Sequence, residues 1–259
     1  MNSKIISNEE KAKLAKKEVS FENIKSNVIL KKIFNYIKRC KSLIIMKFNK
    51  KLQNRLNFNI NDYDEYSKIE IELKILGNKS GRFINIPDEE KKYYHIYFDN
   101  SKKKIKKYNL TFFDKVKTIK IIIDYQVKSL KKLFYCCDCI NSIIFKKFFR
   151  NRINDMSLMF YKCSSLIELN LNNFNTNNVT NMSQMFYKCS SLKEINLSNF
   201  NTINVTNMSG MFDGCSSLIE LNLTNFNTNN VTHMIWMFNG CPDTLIKKIK
   251  KQNKNLIII

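Results

Sequence analysis

The feature that most constrains this chain is a period of 26 residues running from Leu130 to Cys241. Met182, Met185, Phe186, Cys189, Leu192, Ile195, Leu197, Phe200 and Val205 have counterparts 26 positions earlier and later, from Met156 through Cys163 to Val179 and from Met208 through Cys215 to Val231. A fourth, degenerate copy keeps the register at Leu130, Leu133, Phe134, Cys137, Ile140, Ile143, Phe145, Phe148 and Ile153. A fixed period of this size means that one supersecondary unit stacks on the next, so equivalent residues meet equivalent neighbours.

Two apolar rhythms share each period. In Cys189-Ser-Ser-Leu192-Lys-Glu-Ile195-Asn-Leu197-Ser-Asn-Phe200, Ile195 and Leu197 alternate with polar residues as a short half-buried strand requires. From Val205 the spacing of Met208, Met211 and Phe212 becomes i, i+3, i+4, which predicts a short helix, with Thr180, Thr206 and Thr232 as N-caps. The expected fold class is therefore an α+β repeat protein, a solenoid of 26-residue coils, each with one parallel strand and one short helix.

The repeat N-V-T-N-M-S-x-M-F-x-x-C-S-S-L-x-E-L-N-L-x-N-F, over about 130–243, resembles the BspA-like leucine-rich repeat family. That resemblance implies a leucine-rich-repeat solenoid used for binding, with no common active site. Better-known members are secreted or surface-bound, so a surface adhesin is one alternative for this chain.

Before the repeats, residues 1–25 are polar and read as a flexible N-terminus without an apolar export core. Residues 26–66 carry helical spacing at Leu30, Ile33, Phe34 and Ile37 and again at Ile45, Phe48, Leu52 and Leu56, so a small helical module is expected. This segment is similar to F-box-like modules. The similarity implies a ubiquitin-ligase linker protein as second partner, docked on an exposed stripe of Leu30, Ile33, Phe34 and Ile37; the plain alternative is a helical cap. Residues 67–113 predict two β-hairpins, one joining Ile69–Ile75 to Arg82–Ile86 and a second leading from Tyr94–Phe98 through Asp99-Asn100-Ser101 into the Lys-rich run 102–107, after which Asn109–Phe113 reaches the next apolar block. The solenoid is expected over 114–259, with Val116, Ile119 and Ile121 as a capping rung and a C-terminal cap from about 242 that ends in a strand at Leu256–Ile259.

The net charge of +22 is unevenly placed. Residues 1–129 hold 30 Lys and Arg against 15 Asp and Glu, a balance of +15, whereas 153–243 hold 3 against 6, a balance of −3. Nucleic-acid binding through Lys102–Lys107 with Tyr93, Tyr94, Tyr97 and Tyr108 is thus a further alternative, weighed below a Lys-rich strand edge that blocks aggregation. With no apolar run of membrane-spanning length, the sequence reads as a cytoplasmic protein without a membrane span.

Chemistry-bearing residues give little support to catalysis. Cys137, Cys163, Cys189, Cys215 and Cys241 occur once per period and read as small core residues, reduced in a cytoplasmic setting. The cluster Cys136-Cys137-Asp138-Cys139 lacks a second ligand pair for zinc, so neither metal nor cofactor is expected. His95 and His233 are isolated, and no phosphate-binding glycine motif occurs. Asn173, Asn199 and Asn225, with Asn175, Asn201 and Asn227, recur beside the strand-leaving Phe and read as turn-bonding amides. The remaining outward strand positions, Glu168, Asn170, Glu194, Asn196, Glu220 and Asn222, form one face; its stacked carboxylates call for a cation or a basic partner. The expectation is a non-enzymatic protein-interaction scaffold with its protein partner on that face.

Overall fold

The computed structural model describes residues 24–36, 49–57, 67–77, 79–148 and 152–252. The chain divides into two compact units, Met1–Tyr66 and Ser67–Ile259. In the first, helix α1 spans Asn27–Tyr36 and α2 spans Lys50–Leu56. Asn49 caps α2 by accepting from the Leu52 N–H at 3.0 Å. Arg55 ties the helices together by donating to Asn27 Oδ1 at 2.9 Å and to the carbonyls of Ile24 and Lys25.

The second unit is α+β, built on a mixed sheet. Its strands are β1 (Ile69–Ile75), β2 (Gly81–Arg82), β3 (Tyr94–Phe98), β4 (Asn109–Leu110), β5 (Thr118–Ile123), β6 (Ile140–Lys147), β7 (Glu168–Asn170), β8 (Glu194–Asn196) and β9 (Glu220–Asn222), followed by helix α3 (Asp243–Gln252). A five-stranded sheet runs in the order β3-β5-β1-β6-β7, and β2-β4 and β8-β9 form separate pairs.

Among the described residues the first expected hairpin does not form, and the second is reduced to a single antiparallel bridge in which the Ile105 N–H donates to the Ile96 carbonyl at 2.8 Å. β1 pairs antiparallel with β5, Ile71 opposite Ile121, and with β6, Leu73 opposite Ile143. Its buried face of Ile69, Ile71 and Leu73 meets Ile119, Ile121 and Ile123 on one side and Ile143 and Phe145 on the other, all buried. Residues 82–86 cannot offer that match, because the adjacent Phe83 and Ile84 are both buried and break the alternation a strand requires. Only Gly81 and Arg82 stay extended there, paired with β4. β3 likewise joins β5, with Ile96 opposite Ile121. The expected capping rung at 116–121 is therefore an antiparallel strand, separated from the repeats by β1.

Parallel pairing begins at β6 and follows the period. Ser142, Ile143 and Ile144 pair with Glu168, Leu169 and Asn170, and Glu194, Ile195 and Asn196 with Glu220, Leu221 and Asn222. Single bridges at the same offset link Ser129, Asp155, Asn181, Asn207 and His233.

The short helices expected in the repeats are rows of turns instead. In an α-helix each N–H returns to the carbonyl four residues earlier. Here alternate N–H groups reach forward to the following copy: Gln184 to Ser209 at 2.8 Å, Phe186 to Met211 at 2.9 Å and Lys188 to Asp213 at 2.7 Å. The intervening ones close tight turns, with Met185 donating to Met182 and Cys189 to Phe186. The geometry needs left-handed backbone at Gln184 and Lys188, both at φ 53; the next copy has Gly210 and Gly214 at those positions, at φ 59 and 74. Both arrangements turn Met182, Met185 and Phe186 inward, and all three are buried. Nor are the threonines N-caps: Thr206 Oγ1 donates to the Thr180 carbonyl at 3.2 Å, and Thr232 Oγ1 to that of Thr206 at 3.1 Å.

Aromatic rows fill the interior. Phe134, Phe160, Phe186, Phe212 and Phe238 stack at 5.4–5.7 Å with ring planes within 10°. Phe148, Phe174, Phe200 and Phe226 form a second row at 4.3–6.5 Å. The first row of turns is closed from the N-terminal side by Asn85, whose N–H donates to the Leu133 carbonyl at 2.7 Å and whose amide donates to that of Tyr135 at 2.8 Å.

Candidate partner-binding face

The outward positions of β7, β8 and β9 line a concavity of about 780 Å³, walled by Ile167, Glu168, Glu194, Asn196, Glu220 and Thr224. Parallel pairing at the period sets Glu194 directly opposite Glu220. The three carboxylates are not equivalent. Glu168 accepts from Ser142 Oγ at 2.8 Å and lies 3.5 Å from the Lys74 ammonium. Glu220 is held by Lys248 of α3 at 2.5 Å. Glu194 has no ion pair among the described residues. The two outer charges of the acidic row are thus answered from within the chain, by lysines that no repeat pattern could announce.

The asparagines of this face are engaged as well. Asn170, Asn196 and Asn222 turn their carbonyl oxygens back on the chain, accepting from the N–H groups of Asn172 at 3.0 Å, Ser198 at 3.0 Å and Thr224 at 3.1 Å. These Asx turns end each strand. Of the three exposed carboxylates only Glu194 is left without an ion pair among the described residues; exposed Ile167 and Ile219, each 51% accessible, precede β7 and β9, and Ile167 lines the concavity. The two isoleucines occupy the same repeat position two periods apart, and because the copy between them has Lys193 there, the repeat alone does not mark an apolar row.

The amides beside the strand-leaving Phe bond to turn carbonyls, as predicted, from exposed positions. Asn199 donates to the carbonyls of Leu171 at 3.0 Å and Phe174 at 3.1 Å, and Asn173 donates to those of Phe145 at 3.1 Å and Lys146 at 3.2 Å. Buried Thr176 and Thr202 reach forward to the Asn201 and Asn227 carbonyls at 2.9 and 2.8 Å.

Other predicted sites fare differently. Of the predicted docking stripe, Leu30 is fully buried and Ile33 half-buried, while the neighbouring Val28 and Ile29 are exposed. The Phe34 side chain and Ile37 lie outside the described residues, as do residues 1–23 of the predicted flexible segment 1–25 and the predicted strand Leu256–Ile259. Among the tyrosines offered for base stacking, Tyr94 is buried, while Tyr93 and Tyr108 carry the ammonium groups of Lys92 and Lys91 over their rings at 4.9 and 5.2 Å.

The thiols are core groups. Cys163, Cys189 and Cys215 are buried, and each S–H donates to the Phe carbonyl of the preceding copy, at 3.0, 3.1 and 3.1 Å. Burial pushes all three well above the ordinary thiol value and raises Cys139 to about 11. Cys136 is exposed, whereas Cys137 and Cys139 are buried. His95 sits between Lys104, 2.8 Å from Nδ1, and Asp124, 2.8 Å from Nε2. Because an ammonium can only donate, Nδ1 accepts and the Nε2–H donates to Asp124. A row unforeseen from the sequence stacks Tyr135, Tyr161 and Tyr187 at 4.7 and 4.5 Å, with Lys132, Lys162 and Lys188 over the rings.

A family model described as a Mycoplasma protein of unknown function, DUF285, matches residues 128–251, a little under half of the chain. The match covers the repeats and gives loose support to a repeat family of the BspA type; it does not reach the helical segment for which the F-box-like similarity was drawn. No curated protein and no solved structure matches the chain. Among the described residues, no helix is long and apolar enough to cross a membrane.

Proposed function

We propose that residues 128–252 form a stack of 26-residue coils of the leucine-rich-repeat type that acts as a non-enzymatic protein-binding scaffold. The observation that supports it is the open strand face, where Glu194 stands without an ion pair among the described residues between two carboxylates that have one. Like charges stacked at strand spacing repel unless neutralised. A basic partner segment set along β7–β9 supplies the missing cation at Glu194, while the exposed Ile167 and Ile219 supply apolar contact. No reaction is assigned: the buried repeat thiols, His95 and the strand-face amides are engaged in internal bonds.

The test is reversal of charge at the unpaired position. Glu194→Lys is expected to abolish capture of the partner set that the wild-type chain takes from lysate, with circular dichroism unchanged. An unchanged partner set would move the binding surface away from the strand face.

A further inference from the structure

Phe112 and Phe113 are 80% and 93% exposed. They are adjacent, and the turn that carries them is locked. Asp114 Oδ2 accepts from the Thr111 N–H at 2.6 Å, from Thr111 Oγ1 at 2.7 Å and from the Lys107 ammonium, and the Asp114 N–H donates to the Thr111 carbonyl at 3.1 Å. Both stems are anchored in the core, by Leu110 on one side and Val116 on the other. Two aromatic rings are therefore held out in water on a fixed support, not left on a loose loop.

The surroundings of the rings are cationic. Lys102, Lys103, Lys106, Lys115 and Lys117 are exposed and form no ion pair among the described residues. The two lysine-bearing segments are brought together by the Lys107–Asp114 pair and by Asp99, whose carboxylate accepts from the N–H groups of Lys117 at 2.9 Å and Thr118 at 2.8 Å. The only acid within 102–117, Asp114, is held by those Lys107 and Thr111 bonds.

We propose that this turn docks the protein on a lipid bilayer surface bearing anionic headgroups, with Phe112 and Phe113 entering the interface and the lysines facing the headgroups. Projecting apolar rings ringed by diffuse positive charge fit a surface that offers an apolar layer beneath a broad negative potential. A protein partner would instead have to present an apolar socket with an acidic rim. Neither half suffices alone: lysines give reversible, salt-sensitive adsorption, and two rings give too little apolar burial for stable attachment. The inference is independent of the strand face, whose residues it does not use.

The experiment is co-sedimentation of the full chain with vesicles of phosphatidylcholine alone or mixed with phosphatidylserine, at low and high salt. Wild type is expected to sediment with the anionic vesicles only. Phe112→Ser/Phe113→Ser, and separately Gln at Lys102, Lys103, Lys106, Lys115 and Lys117, are each expected to weaken binding by about tenfold or more, with circular dichroism unchanged. Glu194→Lys should bind vesicles as well as wild type. In the Phe113→Trp variant, emission should shift to the blue on anionic vesicles beyond the Trp236 background. Absence of vesicle binding by the wild type overturns the proposal, whatever protein or nucleic acid the chain captures. So does full binding by the double Ser variant, which would reduce the contact to adsorption by charge.

Discussion

On β1 the outward residues Glu70, Glu72 and Lys74 face strands of different sequence, and each finds an opposite charge. Glu70 lies 2.8 Å from Lys120 and 3.5 Å from Lys147, Glu72 lies 3.4 Å from Lys146, and Lys74 lies 3.5 Å from Glu168. Burial works against ionisation of Glu70, yet the hydrogen bond and charge of Lys120, with Lys147 behind it, hold its pKa below the ordinary value. In the repeated part each residue's neighbour is its own copy. Phe stacks on Phe, and Thr donates to the carbonyl of Thr. Self-stacking suits groups that can bond their own kind and penalises charge. That accounts for a stretch from 153 to 243 with so few charged side chains, and for a Glu row settled only at its two ends.

The largest expected effect attacks self-stacking directly. Phe186 is fully buried between Phe160 and Phe212, at 5.5 and 5.4 Å. Phe186→Ala should cost about 3 to 5 kcal/mol, because the rows on either side cannot close the cavity without breaking register. Urea denaturation measures it, and a loss below about 1 kcal/mol would show that the row does not bear on stability. Leu73→Ala in β1 is the counterpart in the antiparallel part, at about 2 to 5 kcal/mol.

The thiol row gives a pH test. Burial raises Cys163, Cys189 and Cys215 well above 9.0 and Cys241 up to about 12. Above that ordinary value an unfolded chain releases protons that the fold retains. The contribution is therefore complete below about pH 9 and is lost as pH rises toward the folded values, each retained proton removing up to about 1.4 kcal/mol per pH unit. Denaturation midpoints in reductant should fall from pH 9 upward, and less steeply in Cys189→Ala. An identical slope in that variant would rule out its thiol as a contributor.

Asn199 joins two copies through the carbonyls of Leu171 and Phe174. Asn199→Ala leaves part-buried acceptors without this donor and should cost about 1 to 3 kcal/mol. Asn199→Asp should not rescue, since a carboxylate cannot donate.

The comparison also explains what was legible from residues alone. The period identified the inward set, and from Leu130 to Phe226 every core position it marked is buried except the half-buried Leu169. It could not separate a helix from a row of turns, since i, i+3, i+4 spacing serves both and the hydrogen bonds that decide lie in the next copy. Where no period exists, strand order was lost: nothing local in Ile69–Ile75 says that Ile119 and Ile143 are better neighbours than Ile84. On the candidate face, Glu168, Glu194 and Glu220 were visible as a row, but Lys74 and Lys248, which divide that row into paired and unpaired members, come from elements far away in sequence.

The smallest expected effect on stability sharpens the contrast most. Lys248 and Glu220 form an exposed pair at 2.5 Å, with side chains 51% and 61% accessible. Lys248→Ala should cost no more than about 1 kcal/mol, as exposed pairs do. Its consequence lies on the face, where Glu220 would then stand free directly opposite Glu194. If a basic partner is what the face selects, capture should tighten and become more salt-sensitive, whereas Glu220→Gln beside intact Lys248 should weaken it. Titration of a captured partner against both variants across ionic strength decides the matter. Equal affinities would mean that the carboxylates of this row act only within the chain.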